Sequence, residues 1–301
     1  MPVFSVEHTT VYRYRRPVGF GAHRLLGRPR DTAEQRLLDW SLEVSPRLGE
    51  MLHALDPFGN IVTQFSVPSR ARELRVVNRL RVAQTPSVPE SRYLAPYAAS
   101  WPFAYDADDA PDLAPLCEPA LEDGETSAER WIVDGWARES LDGAATPTIA
   151  LLSRMTRAIH EEFTYCPRVE EGTQPPSRTL ALRSGTCRDF AVLMIEALRG
   201  LGFAVRFVTG YLFTPPEAHH HGGGATHAWL DVFLPGLGWV DLDPTNGIVG
   251  SRDLIRVASV RDWRQAVPLA GTWIGFPDDF ESMTVTVRVE EEARQAVQSL
   301  A

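Results

Sequence analysis

Cys187 has the surroundings expected of a reactive thiol. It follows a Gly-Thr pair and precedes an apolar run, 190–195, that contains no charged residue. A cysteine is nucleophilic as the thiolate, and the N-terminus of a helix favours that form while its free N–H groups can bind an oxyanion. The sequence therefore predicts Cys187 at the start of a buried helix, with a small core cysteine as the alternative interpretation.

A histidine and an aspartate with complementary properties follow on two predicted strands. His227 lies near the start of strand 226–234, and Asp243 ends strand 239–243. A Pro-Gly-Leu-Gly turn joins the two strands, so we expect a hairpin that brings His227 near Asp243. Together with Cys187 they would form a nucleophile, a general base and an orienting group.

Each member of this set also has a simpler interpretation. His227 fits a structural histidine, Asp243 before a proline fits a turn residue, and the His- and Gly-rich segment His219–Gly224 fits either a surface loop or a lid. A zinc site built from Cys187, His227, Asp243 and the three histidines of that segment is a second possibility. A third is a module that binds peptides or proteins without catalysis. The presence of all three residues favours catalysis.

The residues that precede the predicted core indicate a β-rich domain followed by a connector. Alternating β-branched and aromatic residues predict short antiparallel strands, arranged as a sandwich-like domain, over 1–84. Residues 85–146 are rich in proline, alanine and acidic residues, and predict a connector with short helices near 131–140.

The core is predicted over 147–250. It begins with a helix at 147–163, for which Thr146 is the expected cap. Residues 251–301 are expected to complete the fold with one strand at 283–289 and a polar helical tail. The chain is therefore predicted to have an α+β fold.

Composition limits the class of function. Apolar residues make up 44% of the 301 positions, and the net charge of −9 argues against a nucleic-acid-binding surface. The sequence predicts no transmembrane helix and no secretory signal, so neither nucleic acid nor a membrane is an expected partner. All 30 basic residues are arginine, so the only primary amine is the N-terminus. A cytoplasmic location is predicted, because it would keep a catalytic thiol reduced.

Four segments together resemble the core of the bacterial transglutaminase-like superfamily. They occur in the expected order and begin at positions 183, 210, 227 and 238: RSGTCRDFA, GY, HAWLDV and GWVDLDPT. In addition, LLGRPRD at 25–31 and DPFGN at 56–60 are similar to the β-rich region that precedes this core in one bacterial branch. The resemblance covers most of the chain and is weakest over 85–145.

This resemblance implies a papain-like core in which the helix bearing Cys187 packs on an antiparallel sheet bearing His227 and Asp243. Cys187 would be the nucleophile, His227 the general base and then acid, and Asp243 the orienting group. The implied substrate is a peptide or glutamine amide of a peptide or protein. Its acyl group would pass through a thioester to water, an amine or another nucleophile, with no metal or cofactor.

Four further residues are predicted to bind substrate or support the site: Tyr165, Arg188, Trp229 and Asp241. Arg188 stands where many relatives carry glutamine, and could favour the thiolate or bind a substrate carboxylate. Asp241 could bind a cationic amine or pair with an arginine. Hydrolysis is favoured over crosslinking because nothing in the sequence indicates a dedicated amine site. The N-terminal domain could recruit a partner protein.

Overall fold

The first five strands belong to an N-terminal antiparallel sheet. The computed structural model describes residues 1–119, 126–168, 172–218 and 220–292. The strands are β1 (Val3–Arg28), β2 (Gln35–Ser45), β3 (Met51–Leu55), β4 (Ile61–Phe65) and β5 (Ala71–Gln84). They pair in the order β2-β5-β1-β4-β3.

Strand β1 is longer than the short strands that the sequence predicts. It runs without interruption for 26 residues. Its first half pairs with β5 and its second half with β4, and the register with β5 shifts between Arg13 and Val18. Pro17 lies in this interval, where the missing N–H of a proline interrupts the ladder. The strand therefore changes partners after Pro17 instead of ending in a turn, since Val18 still pairs with β5 and the pairing with β4 begins at His23.

The connector holds two helices and two very short strands: β6 (Ser100–Trp101), α1 (Ala110–Cys117), α2 (Ser127–Glu139) and β7 (Thr146–Pro147). Helix α2 contains most of the predicted helical region at 131–140. Thr126 and Glu129 form a capping box at its start, and Val133 and Ala137 are buried against the core. The acidic segment between the helices includes residues 120–125, which lie outside the described residues.

Three helices and two short strands follow: α3 (Thr148–Glu162), β8 (Thr164–Tyr165), α4 (Pro176–Leu182), β9 (Ser184–Gly185) and α5 (Cys187–Gly200). Helix α3 confirms the predicted helix, but its predicted cap is wrong. Pro147 occupies the N-cap position, while Thr146 pairs with Trp101 and accepts a hydrogen bond from the N–H of Asp142. Long-range strand pairing thus determines the position of Thr146.

A second antiparallel sheet, here called the core sheet, contains β10 (Val205–Leu212), β11 (His227–Leu234), β12 (Gly238–Asp243), β13 (Ile248–Val249) and β14 (Leu254–Val260). The strand order is β13-β12-β11-β10-β14. Helix α5 packs on β10 and β11, and its residues 189–199 are all buried, as the absence of charge in 190–195 predicts. The edge strand β14 follows residue 250, although the sequence predicts that the core ends at that residue.

The last two strands return to the N-terminal sheet instead of the single strand predicted. β15 (Leu269–Ile274) pairs with the second half of β1, and β16 (Phe280–Glu291) pairs with its first half. The predicted tail at 293–301 lies outside the described residues. The result confirms an α+β fold made of helices and two large antiparallel sheets. No helix of the described residues is long and apolar enough to cross a bilayer.

Candidate active site

Cys187 is the first residue of α5. The preceding Thr186 is the N-cap and forms a reciprocal capping box with Asp189. This box satisfies the N–H of Asp189, whereas the N–H groups of Cys187 and Arg188 have no partner within the described part of the chain. Free N–H groups at a helix N-terminus can bind negative charge. The thiol and two donors therefore lie at the same helix end.

The start of α5 is fixed by Asp189, whose importance the sequence alone did not suggest. Its carboxylate is fully buried and accepts two hydrogen bonds from Arg168 at 3.1 and 3.0 Å. It also accepts the N–H of Gln174 at 2.7 Å. The Thr-x-x-Asp spacing of a capping box is the signal that could have identified it.

His227 and Asp243 form a buried hydrogen-bonded pair. Nε2 of His227 donates to Oδ2 of Asp243 at 2.8 Å, and neither side chain has solvent exposure. Burial by itself lowers the pKa of His227, but the Asp243 carboxylate and, to a smaller extent, Cys187 raise it to about 10. The imidazole can therefore hold a proton at neutral pH.

Cys187 lies beside the His227 ring, whose second nitrogen is Nδ1. Nδ1 is buried and has no hydrogen-bond partner in the described residues. Cys187 is near enough to contribute to the raised pKa of His227, and both residues line one cleft. Nδ1 is thus the atom able to accept a proton from the thiol. The structure brings the three predicted triad residues together, and their catalytic roles remain predictions.

Asn246 supports the carboxylate of the pair and was not identified from the sequence. Its Nδ2 donates to Oδ2 of Asp243 at 2.8 Å, and the N–H of Thr245 donates to Oδ1 at 2.9 Å. Although burial raises the pKa of Asp243, the charge of His227 and these hydrogen bonds hold it below the ordinary value. Asp243 is therefore kept ionised and oriented.

Trp229 and Asp241 lie behind the histidine. The indole ring of Trp229 stacks on His227 with ring centroids 5.9 Å apart, and its Nε1 donates to Asp241 at 2.7 Å. Asp241 is buried and also accepts from Arg256 at 2.6 Å. Of the two roles considered for Asp241, the structure shows pairing with an arginine. Gly210 packs beneath Trp229, where a Cβ would lie 2.8 Å from the indole ring.

The His- and Gly-rich segment lies beside the site, with His219 outside the described residues. His221 stacks on Tyr165 with centroids 5.2 Å apart, and its N–H and C=O both bond to the Asn246 amide. A Cβ on Gly222 would lie 2.8 Å from Nδ1 of His227. Burial is the main reason why the pKa of Tyr165 is raised to about 12, and electrostatic interactions with Cys187 and Asp189 contribute less.

A cleft of about 710 Å³ opens onto Cys187 and His227. Arg188 lines it and makes no ion pair or hydrogen bond within the described residues. Tyr165, Trp229 and Asp241 do not line the cleft. Among the described residues, no group of three His, Cys, Asp or Glu side chains is placed to hold a metal ion.

Comparison with known families agrees with the two-part architecture. The model of the bacterial transglutaminase-like N-terminal region matches residues 4–83, and that of the transglutaminase-like superfamily matches residues 134–244. An uncharacterized protein of Mycobacterium tuberculosis H37Rv is 30% identical over 280 residues, which cover 89% of this chain and 86% of that protein. Both regions are therefore shared with a relative of similar length.

Two more similarities are to proteins whose names state a chemistry. A protein-glutamine gamma-glutamyltransferase of Pseudomonas aeruginosa is 29% identical over 123 residues, 38% of this chain and 18% of that protein. A candidate cysteine protease from Cytophaga hutchinsonii has a crystal structure that superposes with a TM-score of 0.71 and 19% identity, covering 98% of this chain and 92% of that one. The latter likeness shows a shared fold. This chain belongs to the transglutaminase-like superfamily and carries the bacterial transglutaminase-like N-terminal region.

Proposed function

We propose that this protein is a thiol-dependent acyl-transfer enzyme that acts on peptide or glutamine amides, with water as the main acyl acceptor. The observation that carries the proposal is the fully buried His227–Asp243 pair beside Cys187, at a helix N-terminus with free N–H groups. Buried titratable groups with strongly shifted pKa values in a cleft are typical of catalytic sites.

In the first half of the proposed reaction, Cys187 gives its proton to Nδ1 of His227. The thiolate then attacks the carbonyl carbon of the amide, and the N–H groups of Cys187 and Arg188 bind the resulting oxyanion. His227 returns the proton to the leaving nitrogen as the C–N bond breaks. An amine or ammonia leaves, and the acyl group is held as a thioester on Cys187.

In the second half, Nδ1 of His227 takes a proton from water, and the hydroxide attacks the thioester carbonyl. The C–S bond breaks, the carboxylic acid is released, and His227 returns the proton to the sulfur. Asp243 stays ionised and accepts a hydrogen bond from the Nε2–H group throughout, so it fixes the tautomer of the ring and stabilises the imidazolium. Asn246 holds Asp243 in that orientation.

The charges around the cleft support water over an amine as the acceptor. A protonated amine needs an anionic group near the thioester, but Asp241 is buried and paired with Arg256. Arg188 carries the only fixed charge among the described residues that line the cleft, and it repels a cation. An uncharged water molecule meets no such repulsion.

We also propose a cytoplasmic location, because the mechanism requires a reduced thiol. Cys117, Cys166 and Cys187 are all free. Fractionation of cells that produce the protein tests this location. Recovery outside the cytoplasm would contradict it.

The decisive measurement is brief labelling with iodoacetamide from pH 5 to pH 9, followed by intact mass spectrometry and peptide mapping. We expect Cys187 to be alkylated rapidly at about pH 6, where an ordinary thiol reacts slowly. Cys166 is exposed and serves as the internal control in the same sample. Slow labelling of Cys187 at every pH would instead support a non-catalytic peptide-binding module.

A second experiment distinguishes the two acyl acceptors. The protein is incubated with glutamine-containing peptides, with and without an added primary amine, and products are identified by mass. We expect a gain of about 1 Da for deamidation, or cleavage of the peptide, in both samples, since water is the acceptor. Complete conversion to the amine adduct would identify a transglutaminase.

A further inference from the structure

The wall of the cleft opposite Cys187 is one face of the N-terminal sheet. Strand β1 contributes Thr10 and Tyr12, and β16 contributes Val285 and Met283, which are their direct cross-strand partners. Directly opposed residues of an antiparallel pair share a face. Two adjacent strands therefore look across the cleft at the nucleophile.

This wall carries an exposed apolar surface. Phe280, Met283 and Val285 are 43%, 54% and 36% exposed. Val287, the next residue on the same face, is instead buried at the contact with the core sheet. The apolar face thus continues from the interior of the protein into the cleft. Apolar side chains in such a position are available to a ligand.

Strand β16 is also an edge strand whose outer backbone groups face this region. Its only strand partner in the described ranges is β1. Val287 donates its N–H away from β1, at 3.0 Å, to the carbonyl oxygen of Gly224 in the loop before His227. Because backbone direction alternates along this unbroken ladder, Val285 and Met283 also point their N–H and C=O groups outward. No hydrogen bond to another described residue uses these groups.

The charge of Arg188 also makes the cleft favourable for an acidic ligand. Arg188 is adjacent to the nucleophile and has no acidic partner among the described residues. His8, on the opposite wall, stays neutral because burial lowers its pKa to about 4. A carboxylate is the group that best pairs with an arginine guanidinium.

We propose, building on the acyl-transfer function above, that the acyl donor is an extended peptide that adds a strand to the free edge of β16. Its main chain bonds to Val285 and Met283, an apolar side chain contacts Tyr12 and Phe280, and an acidic group pairs with Arg188. Strand addition provides affinity through main-chain hydrogen bonds, and side-chain pockets provide selectivity. The substrate class is an extended apolar and acidic protein segment, not a free amino-acid amide.

The test compares N-chloroacetyl peptides with chloroacetamide as alkylating reagents for Cys187 in the full chain. The ratio of their second-order rate constants reports peptide binding and corrects for any change in thiol reactivity. For an apolar and acidic peptide we expect a ratio of about ten or more, because a few main-chain hydrogen bonds suffice for that factor. A ratio near one, with Cys187 still labelled by chloroacetamide, overturns this inference alone. Absence of Cys187 labelling by either reagent overturns the proposed function.

Two proline variants test the strand edge directly. Val285→Pro removes an outward N–H and leaves the ladder with β1 intact, since prolines are tolerated on the open side of an edge strand. We expect the rate ratio to fall about tenfold. Val289→Pro is the matched control, because Val289 also points its N–H outward but does not line the cleft. Equal ratios in both variants and in the parent chain would overturn the proposal.

Methylation of the peptide backbone tests the same point without changing the protein. Each amide nitrogen of the probe is methylated in turn. A paired strand hydrogen-bonds to its neighbour through every second residue, so we expect methylation to lower the rate ratio only at alternate positions of the probe. Uniform losses, or none, would contradict strand addition even if Val285→Pro fails to fold.

Arg188→Gln should lower the rate ratio for the acidic peptide and not for its amide analogue. Equal effects on both peptides would contradict the preference for an acidic group.

Discussion

The two walls of the cleft each contain a buried histidine, and their surroundings give these residues opposite protonation. On the core wall, His227 bonds to the Asp243 carboxylate, and its pKa rises to about 10. On the N-terminal wall, the two ring nitrogens of His8 hydrogen-bond to the hydroxyl groups of Tyr211 and Thr10, and burial lowers its pKa to about 4. Burial alone makes a histidine neutral, and a carboxylate partner is needed to reverse that effect.

This contrast separates the tasks of the two walls. The core wall combines a thiol, an imidazole and free N–H groups, which are the parts that the proposed acyl transfer requires. The N-terminal wall carries neutral and apolar side chains together with an open strand edge, which suit recognition. The contrast therefore predicts that substitutions on the core wall change the chemical step, and that those on the N-terminal wall change binding or stability.

The largest expected effect follows from removing the nucleophile. Cys187→Ala should lower kcat/KM on the order of 10⁵-fold or more, because triad members act as a unit, and His227→Ala should cost nearly as much. Both losses are measured on a peptide amide, with thermal unfolding as the check on folding. Cys166→Ala is the matched control, since this thiol is exposed. Turnover by Cys187→Ala would overturn the mechanism.

Replacing the carboxylate should make His227 resemble His8. Asp243→Asn is expected to lower kcat about 10²- to 10⁴-fold, since the ring loses its orienting anion. Without Asp243 the pKa of His227 falls from about 10, so the alkaline limb of the rate profile should move to lower pH. The measurements are kcat and kcat/KM from pH 5 to pH 10. An unchanged alkaline limb would show that Asp243 does not control the histidine.

A smaller effect is expected at Asn246, which contacts Asp243 and the segment beside His227. Asn246→Ala should lower kcat/KM about tenfold, because a hydrogen bond to a charged group contributes about 1.5–3 kcal/mol. Losing this donor should raise the pKa of Asp243, so the acid limb of activity moves to higher pH. Asn246→Asp should be more harmful, since it places a second anion beside Asp243. Identical pH profiles in parent and Asn246→Ala would rule out this positioning role.

The mildest prediction concerns stability on the N-terminal wall. His8 binds a proton at a pH near 6.5 when unfolded and near 4 when folded, so the unfolded state binds more protons between these values. The free energy of unfolding should therefore fall by about 2 kcal/mol between pH 7 and pH 5 on account of this residue. His8→Gln should remove that part of the decrease in urea unfolding. The control is His53→Gln, since His53 is exposed. An equal pH dependence of the free energy of unfolding in both variants would contradict the assignment of this decrease to His8.

Much of the candidate site could be predicted because its signals are local. The Gly-Thr-Cys sequence and the uncharged run after it specify a capped, buried helix, and a short turn specifies the hairpin that carries His227 and Asp243. The same reasoning failed where a contact with a residue far away in sequence determines the role of a side chain. Thr146 is used in a strand pair and not as a helix cap. The sequence left two roles open for Asp241, and the distant Arg256 decides between them.

Local sequence patterns identified Cys187, His227 and Asp243 as the candidate nucleophile, base and orienting residue, and they predicted the helix and strands that carry these residues and the α+β class. Periodicity, capping and turn chemistry act within a few residues, so they can be read along the chain. Three features became visible only in the folded chain: β15 and β16 return to β1, Asn246 joins Asp243 to His221, and the N-terminal sheet forms the second wall of the cleft. These arrangements depend on contacts between residues far apart in sequence, and their energies arise only when the two sheets pack together.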